Sequence, residues 1–413
     1  MFDKLISTAT DTTPFIESLH NYFSNFSFNS AIILIMMIFM IVGAVDKIRG
    51  NKMGYGAAFD EGFNAMGPLA IAMVGVIAAA PVVCMILQPI ITPIYALFGA
   101  SPAVFSTTLL ASDMGGYSLA MSLAGSDEAI GNFAGLIIGT TMGCIILFDI
   151  PVALSIIPKQ DRSVLACGIL CGLVTVPIGC LVGGLTMRFT PYPLDLPTLI
   201  KNIIPVTIIA VLIAIGLWFK PEAMMEGFNK FGIVVTAIIT VCTVIAVFQY
   251  QTGIRFPLAE IMVAEDDAGM SPLKEGLITV GNIALVLIGA FPMVEWIKRT
   301  FRKPLMALGH LLGVDETASA AFVANLANNI PVFNMIKDMN PKGKLLSIAF
   351  ATCAAFVFGD HLGFTAGVNQ AMILPVIAAK LTCGICAFLL ANLLSNKLLD
   401  KALTPASSDD ATS

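Results

Sequence analysis

The sequence predicts an all-α polytopic membrane protein of transporter architecture: an inverted repeat with about nine spans and two broken, re-entrant helical hairpins. Three observations carry that expectation. The 413 residues are 57% hydrophobic and only 12% charged, against about 25% charged in soluble domains. Two apolar stretches are interrupted at their middles by polar residues and chain breakers. A set of glycines, prolines and acidic residues also recurs at offsets of 211 to 216.

In chain order, residues 1–30 are not a signal peptide, because Lys4 is their only Lys or Arg and Asp3, Asp11 and Glu17 oppose it. Phe15, Leu19, Tyr22, Phe23 and Phe26 at helical spacing predict a short helix lying at the membrane interface. Runs long enough to span are Ala31–Arg49, Asn64–Leu87, Gly131–Asp149, Val164–Leu185, Asn202–Phe219, Phe231–Tyr250, Leu277–Ile297, Lys344–Gly359 and Ala371–Leu394. The interrupted stretches lie near 103–122 and 317–336.

Basic residues decide how these two stretches run. If both crossed the bilayer, the Lys159/Arg162 loop would fall outside. If both dip in and return, every basic loop lands in the cytoplasm, with the N-terminus outside and the C-terminus inside. The expected division is an interfacial segment 1–30, repeat one at 31–190, a linking helix at 191–230, repeat two at 231–395 and a disordered cytoplasmic tail at 396–413. Within the repeats, Glu61-Gly62, Gly67, Ala70 and Gly75 recur as Glu275-Gly276, Gly281, Ala284 and Gly289. Pro81, Pro93 and Asp149 recur as Pro292, Pro304 and Asp360, and Leu165-Ala-Cys-Gly-Ile169 as Leu381-Thr-Cys-Gly-Ile385. Gly131, Gly135, Gly139 and Gly143 form one small-residue stripe that lets another helix approach closely, inside the bundle or across a homodimer.

The candidate site is built from the two interruptions. Asp113 in Leu109-Leu-Ala-Ser-Asp-Met-Gly-Gly116 is an ionisable group at membrane depth, a functional candidate by default. Gly115 and Gly116 beside it allow a tight turn and close backbone approach to a ligand. The competing role for Asp113 is a buried ion pair or helix cap. Asn325, Asn328 and Asn329 in Ala324-Asn-Leu-Ala-Asn-Asn-Ile-Pro331 offer donors and acceptors for a hydroxyl or amine, or cap the broken ends themselves. Asp360-His361 is a titratable pair suited to ligand contact, proton coupling or capping. Glu61, Asp149 and Lys380 are candidates for coupling or for structure, and Lys380 needs a carboxylate partner such as Asp113 or Asp360.

Other chemistry is poorly supplied. The nine Cys lie in apolar runs, which does not suit a secreted disulfide framework. Cys383-Gly-Ile-Cys386 has redox or metal spacing but lies in a membrane helix without nearby His, so no metal site is expected, and no cofactor motif is present. Hydrolase and phosphate-loop signatures are missing too, so an enzyme is not expected. The net charge of −5 comes largely from loops and tail and does not suggest nucleic acid.

Five blocks resemble one family, the EutH ethanolamine-utilisation permeases of bacteria. They are Phe59-Asp-Glu-Gly-Phe-Asn-Ala-Met-Gly67, Leu109–Gly116, Val176-Pro-Ile-Gly179, Ala324–Pro331 and Phe358-Gly-Asp-His-Leu-Gly-Phe364. The likeness runs from about residue 31 to 395; the 30-residue lead and Asp149 depart from the pattern. The resemblance implies uptake of ethanolamine across the bacterial cytoplasmic membrane, with ethanolamine and the lipid bilayer as partners and no catalytic residues. On that reading Asp113 would pair with the ammonium while Asn328 and Asn329 bond the hydroxyl. Two alternatives stand beside it: a cation-coupled transporter of a small organic anion, and an ethanolamine sensor that does not translocate.

Overall fold

Apolar runs of membrane length with no solvent-facing periodicity fold as helices, because only a helix satisfies every backbone group within its own segment. In this structure, a computed structural model describing residues 12–311 and 313–403, no strand occurs among the described residues. The chain runs α1 (Thr13–Ser24), α2 (Phe28–Ile48), α3 (Tyr55–Asn64), α4 (Met66–Ala96), α5 (Ala103–Leu109), α6 (Gly116–Ala124) and α7 (Glu128–Ile156). It continues through α8 (Arg162–Thr186), α9 (Leu196–Phe219), α10 (Pro221–Thr252), α11 (Pro272–Leu311), α12 (Glu316–Ala327) and α13 (Ile330–Met335). The last elements are α14 (Pro341–Ala354), α15 (Asp360–Val368), α16 (Ile373–Leu393) and α17 (Ser395–Leu403).

Helix starts follow from side chains that accept otherwise unpaired N–H groups. Ser27 caps α2, Asp127 α7, Asp195 α9, Asp315 α12 and Asn340 α14. Hydrogen bonds from the Thr198 backbone and side chain hold the Asp195 carboxyl below its usual range.

Among the described residues, eight helical runs are long and apolar enough to cross a membrane, so the protein is a multi-pass membrane protein. Eight of the nine expected spans fall in these runs. The ninth, Lys344–Gly359, is corrected: α14 ends at Ala354 after 14 residues, about 21 Å at helical rise, short of a bilayer core of roughly 30 Å. The chain then unwinds over 355–359 and restarts as α15. Instead of continuing the helix, the Phe356 and Phe358 amides donate to the carbonyls of Asn325 and Leu326 at 3.1 and 2.9 Å. The tail expected to be disordered from 396 is helical to Leu403; residues 404–413, like 1–11, lie outside the described residues.

The centre of the bundle is α7, α8, α14 and α16. The most apolar stretch of α7 is 83% buried, against 17% for α10, which turns Ile233, Val234, Ile238 and Val241 outward. Residues 133–143 and 145–149 of α7 are wound as π-helix. The halves of the chain are clasped crosswise. Gly62 of α3 lies so close to α11 that a Cβ would come within 2.5 Å of the Ile288 nitrogen, and a Cβ on Gly276 of α11 would come within 3.3 Å of the Val74 Cα in α4. Both members of this pair of contacts shift by the same 214 positions. Gly75 likewise seats α4 against Ile239 and Thr243 of α10, and Gly289 seats α11 against Met36 of α2.

Candidate functional site

The first interruption is made by backbone conformation. Leu110 and Ala111 are extended, Ser112–Met114 form one tight turn, and Gly115 takes φ +85° before α6 begins. A Cβ at Gly115 would lie 1.7 Å from Val76 Cγ1, so bare backbone is required where the turn meets α4. A Cβ at Gly116 would meet the Ala111 carbonyl at 2.6 Å. These two glycines shape the turn against protein; neither lines the cavity described below. Helices α5 and α6 pack on each other, with Ser106 Oγ donating to the Gly116 carbonyl at 3.3 Å. The pair is seated on the glycine stripe of α7. Cβ atoms at Gly131, Gly135, Gly139 and Gly143 would collide with Met121, Tyr117, Ser112 and the Leu110 carbonyl. The stripe therefore packs inside the bundle.

The second interruption is held by amides. Asn325 is buried and its Nδ2 donates to the Ser347 carbonyl at 3.4 Å. This contact corresponds to one at the first interruption, where Ser112 Oγ donates to the Gly135 carbonyl at 2.6 Å. Asn328 Oδ1 accepts from the Ile330 N–H at 2.8 Å, capping α13, and Asn329 Nδ2 donates to Asp149 Oδ1 at 2.5 Å. The third interruption packs against α12, where a Cβ on Gly359 would lie 2.1 Å from the Ala327 carbonyl.

The three interruptions converge on two small cavities. Asp113, Cys144, Phe148, Phe356, Asp360 and His361 line the first, about 30 Å³, above the roughly 10–15 Å³ needed to hold a water. Glu61, Glu295, Lys298, Asn328, Gly359 and Asp360 are among those lining the second, about 70 Å³. Asp360, the first residue of α15, borders both. Thus Asp113 meets Asp360 and His361, while Asn328 joins Asp360 and Glu61 on the other side and Asn329 is engaged with Asp149. A larger groove of about 440 Å³ opens beside Lys159, Arg162, Glu222 and Glu226, away from the interruptions.

Lys380 is buried and its Nζ donates to the Thr140 carbonyl of the π-helical stretch at 2.6 Å, within electrostatic range of Asp113 and Asp149. Its expected carboxylate partner is thus replaced, at contact distance, by a backbone oxygen. Asp113 and Asp149 share this one ammonium, and Asp360 lies within electrostatic range of Asp113. Asp149 Oδ2, Asn325 Oδ1, Asn329 Oδ1 and His361 Nδ1 are buried without a hydrogen-bond partner, and such atoms favour a polar occupant.

The sequence reading did not include Phe148, Phe356 or Cys144, nor the Asp149–Asn329 bond. The one signal for a break near Phe356 was Gly359-Asp-His361, a polar pair closing an apolar run.

Comparison with known proteins places this geometry in a family. The profile described as "Ethanolamine utilisation protein, EutH" matches residues 28–394. A Listeria monocytogenes protein named probable ethanolamine permease EutH is 51% identical over 375 residues, covering 91% of this chain and 96% of its own. Proteins of the same name from Salmonella typhimurium and Escherichia coli are 44% and 43% identical, each covering 89% of this chain and 96% of its own. No solved structure matches.

Proposed function

The chain belongs to the EutH family of ethanolamine utilisation proteins, and from that premise we propose that it takes up ethanolamine across the bacterial cytoplasmic membrane. Ethanolamine is a primary amine with a pKa near that of Lys, about 10, so it is mostly a cation near pH 7 and crosses lipid poorly. A carrier for it needs anionic side chains at membrane depth and polar groups for a hydroxyl. The single observation that carries the reading is that Asp113 and Asp360 line one cavity at the meeting point of the interruptions.

In this reading the ammonium sits between Asp113 and Asp360. The hydroxyl is taken by the face bearing Asn328, reached past Asp360, and His361 offers a free ring nitrogen beside the path. Asn329 and Asn325 support the site from behind through Asp149 and Ser347. The crosswise glycine contacts and the matched Ser112 and Asn325 bonds support an inverted repeat whose halves move against each other to alternate access. Two carboxylates, Asp113 and Asp360, on one cavity favour a cation over a small organic anion as the moving ligand. It is a translocating carrier rather than an enzyme, and the glycine stripe is not a dimer face, because it is filled from within.

The test is counterflow of labelled ethanolamine into proteoliposomes holding the purified chain. Accumulation that excess amino-alcohol cations suppress and dicarboxylates leave intact is expected. Binding without accumulation would make the protein a sensor, and suppression by dicarboxylates would make it an anion carrier.

A further inference from the structure

We propose that Phe148 and Phe356 form an aromatic wall that reads the ammonium head of the substrate. This rests on the ethanolamine reading and names the specificity residues of the same site. Both rings line the cavity that holds Asp113 and Asp360. They meet edge to face, with centroids 5.5 Å apart and planes at 82°, and Phe356 also lies 5.3 Å from the His361 ring. In a T-shaped pair the edge of one ring meets the face of the other, which leaves the remaining ring faces open to other groups, and aromatic faces attract cations. The cavity therefore offers an ammonium two carboxylates and aromatic surface together.

Backbone geometry singles out Phe356. It adopts φ +64°, a conformation bulky residues rarely take, and its side chain is 3% exposed. The N–H bonds of Phe356 and Phe358 to α12 hold this turn in place. The ring is thus fixed against the cavity by a turn that a glycine would form more readily.

The experiment uses the full-length chain in proteoliposomes, with phenylalanine at 148 and 356 replaced by mono-, di- and trifluorinated phenylalanine. Fluorination drains the ring face while barely altering its shape. Apparent ethanolamine affinity is expected to fall stepwise, by roughly 3- to 30-fold over the series, with the thermal midpoint unchanged. Flat affinity across the series, in protein that still transports, overturns the aromatic wall and leaves the transport reading standing. Unmodified protein that takes up no ethanolamine removes the transport reading, and this inference with it.

Discussion

The two interruptions solve one problem with different chemistry. At the first, glycines let backbone approach backbone: Gly115 fits under Val76, and the stripe on α7 receives the whole turn. At the second, carboxamides do the work, with Asn325, Asn328 and Asn329 each bonded to a backbone group or to Asp149. The helix beneath also differs, since α7 runs unbroken while its counterpart stops at Ala354 and resumes at Asp360. Because the first turn is held by backbone bonds and the hydroxyls of Ser106 and Ser112, its one charged side chain is left to face a cavity. The second turn uses its polar side chains to hold itself together. The two interruptions therefore divide the labour, one leaving a charge at a cavity and the other spending its polar groups on structure.

Substitutions can break or sharpen that contrast. The largest effect is expected from Gly115→Val, which imposes side-chain strain at φ +85° and overlaps Val76. Purification in detergent should yield little monodisperse protein. Asp113→Asn comes next, and should lower ethanolamine uptake roughly 10- to 100-fold with the thermal midpoint intact; undiminished uptake would remove Asp113 from the site. Asn329→Ala leaves the Asp149 carboxyl with only the weak Cys144 thiol donor and should destabilise the fold by about 1–3 kcal/mol, an effect that Asp149→Asn in the same chain should partly relieve. The smallest change is Asn328→Ala, which loses a helix cap worth about 1 kcal/mol. If Asn328 also meets the hydroxyl, KM rises for ethanolamine but not for ethylamine; equal KM values would leave it a cap alone.

Much of this was legible in the sequence, for definable reasons. Apolar length located eight spans, and polar residues inside apolar runs located two interruptions, because bilayer burial makes both patterns costly to fake. The glycine stripe was visible as a stripe, though not its occupant, since four-residue spacing says which face is small and not what lies on it. The third interruption was hidden. Phe356-Val-Phe-Gly359 reads as helix by hydropathy, and what unwinds it is a pair of hydrogen bonds to Asn325 and Leu326, some 30 residues earlier. Pairing was also beyond reach: Asp113 was set opposite the asparagines, yet it shares its cavity with Asp360, while Asn329 turns to Asp149. Which side chains meet across a bundle depends on helix rotation, and one sequence does not fix it.

The crosswise clasp bears on how the chain is made. The notch at Gly62 is filled by Ile288, a residue synthesised more than half the chain's length later, and the notch at Gly276 closes on Val74, already inserted long before. During translation the early helices must wait in lipid with their mating surface bare, so the fold locks late and as a whole. Truncation anywhere before α11 is complete leaves an unmated surface rather than a smaller working protein.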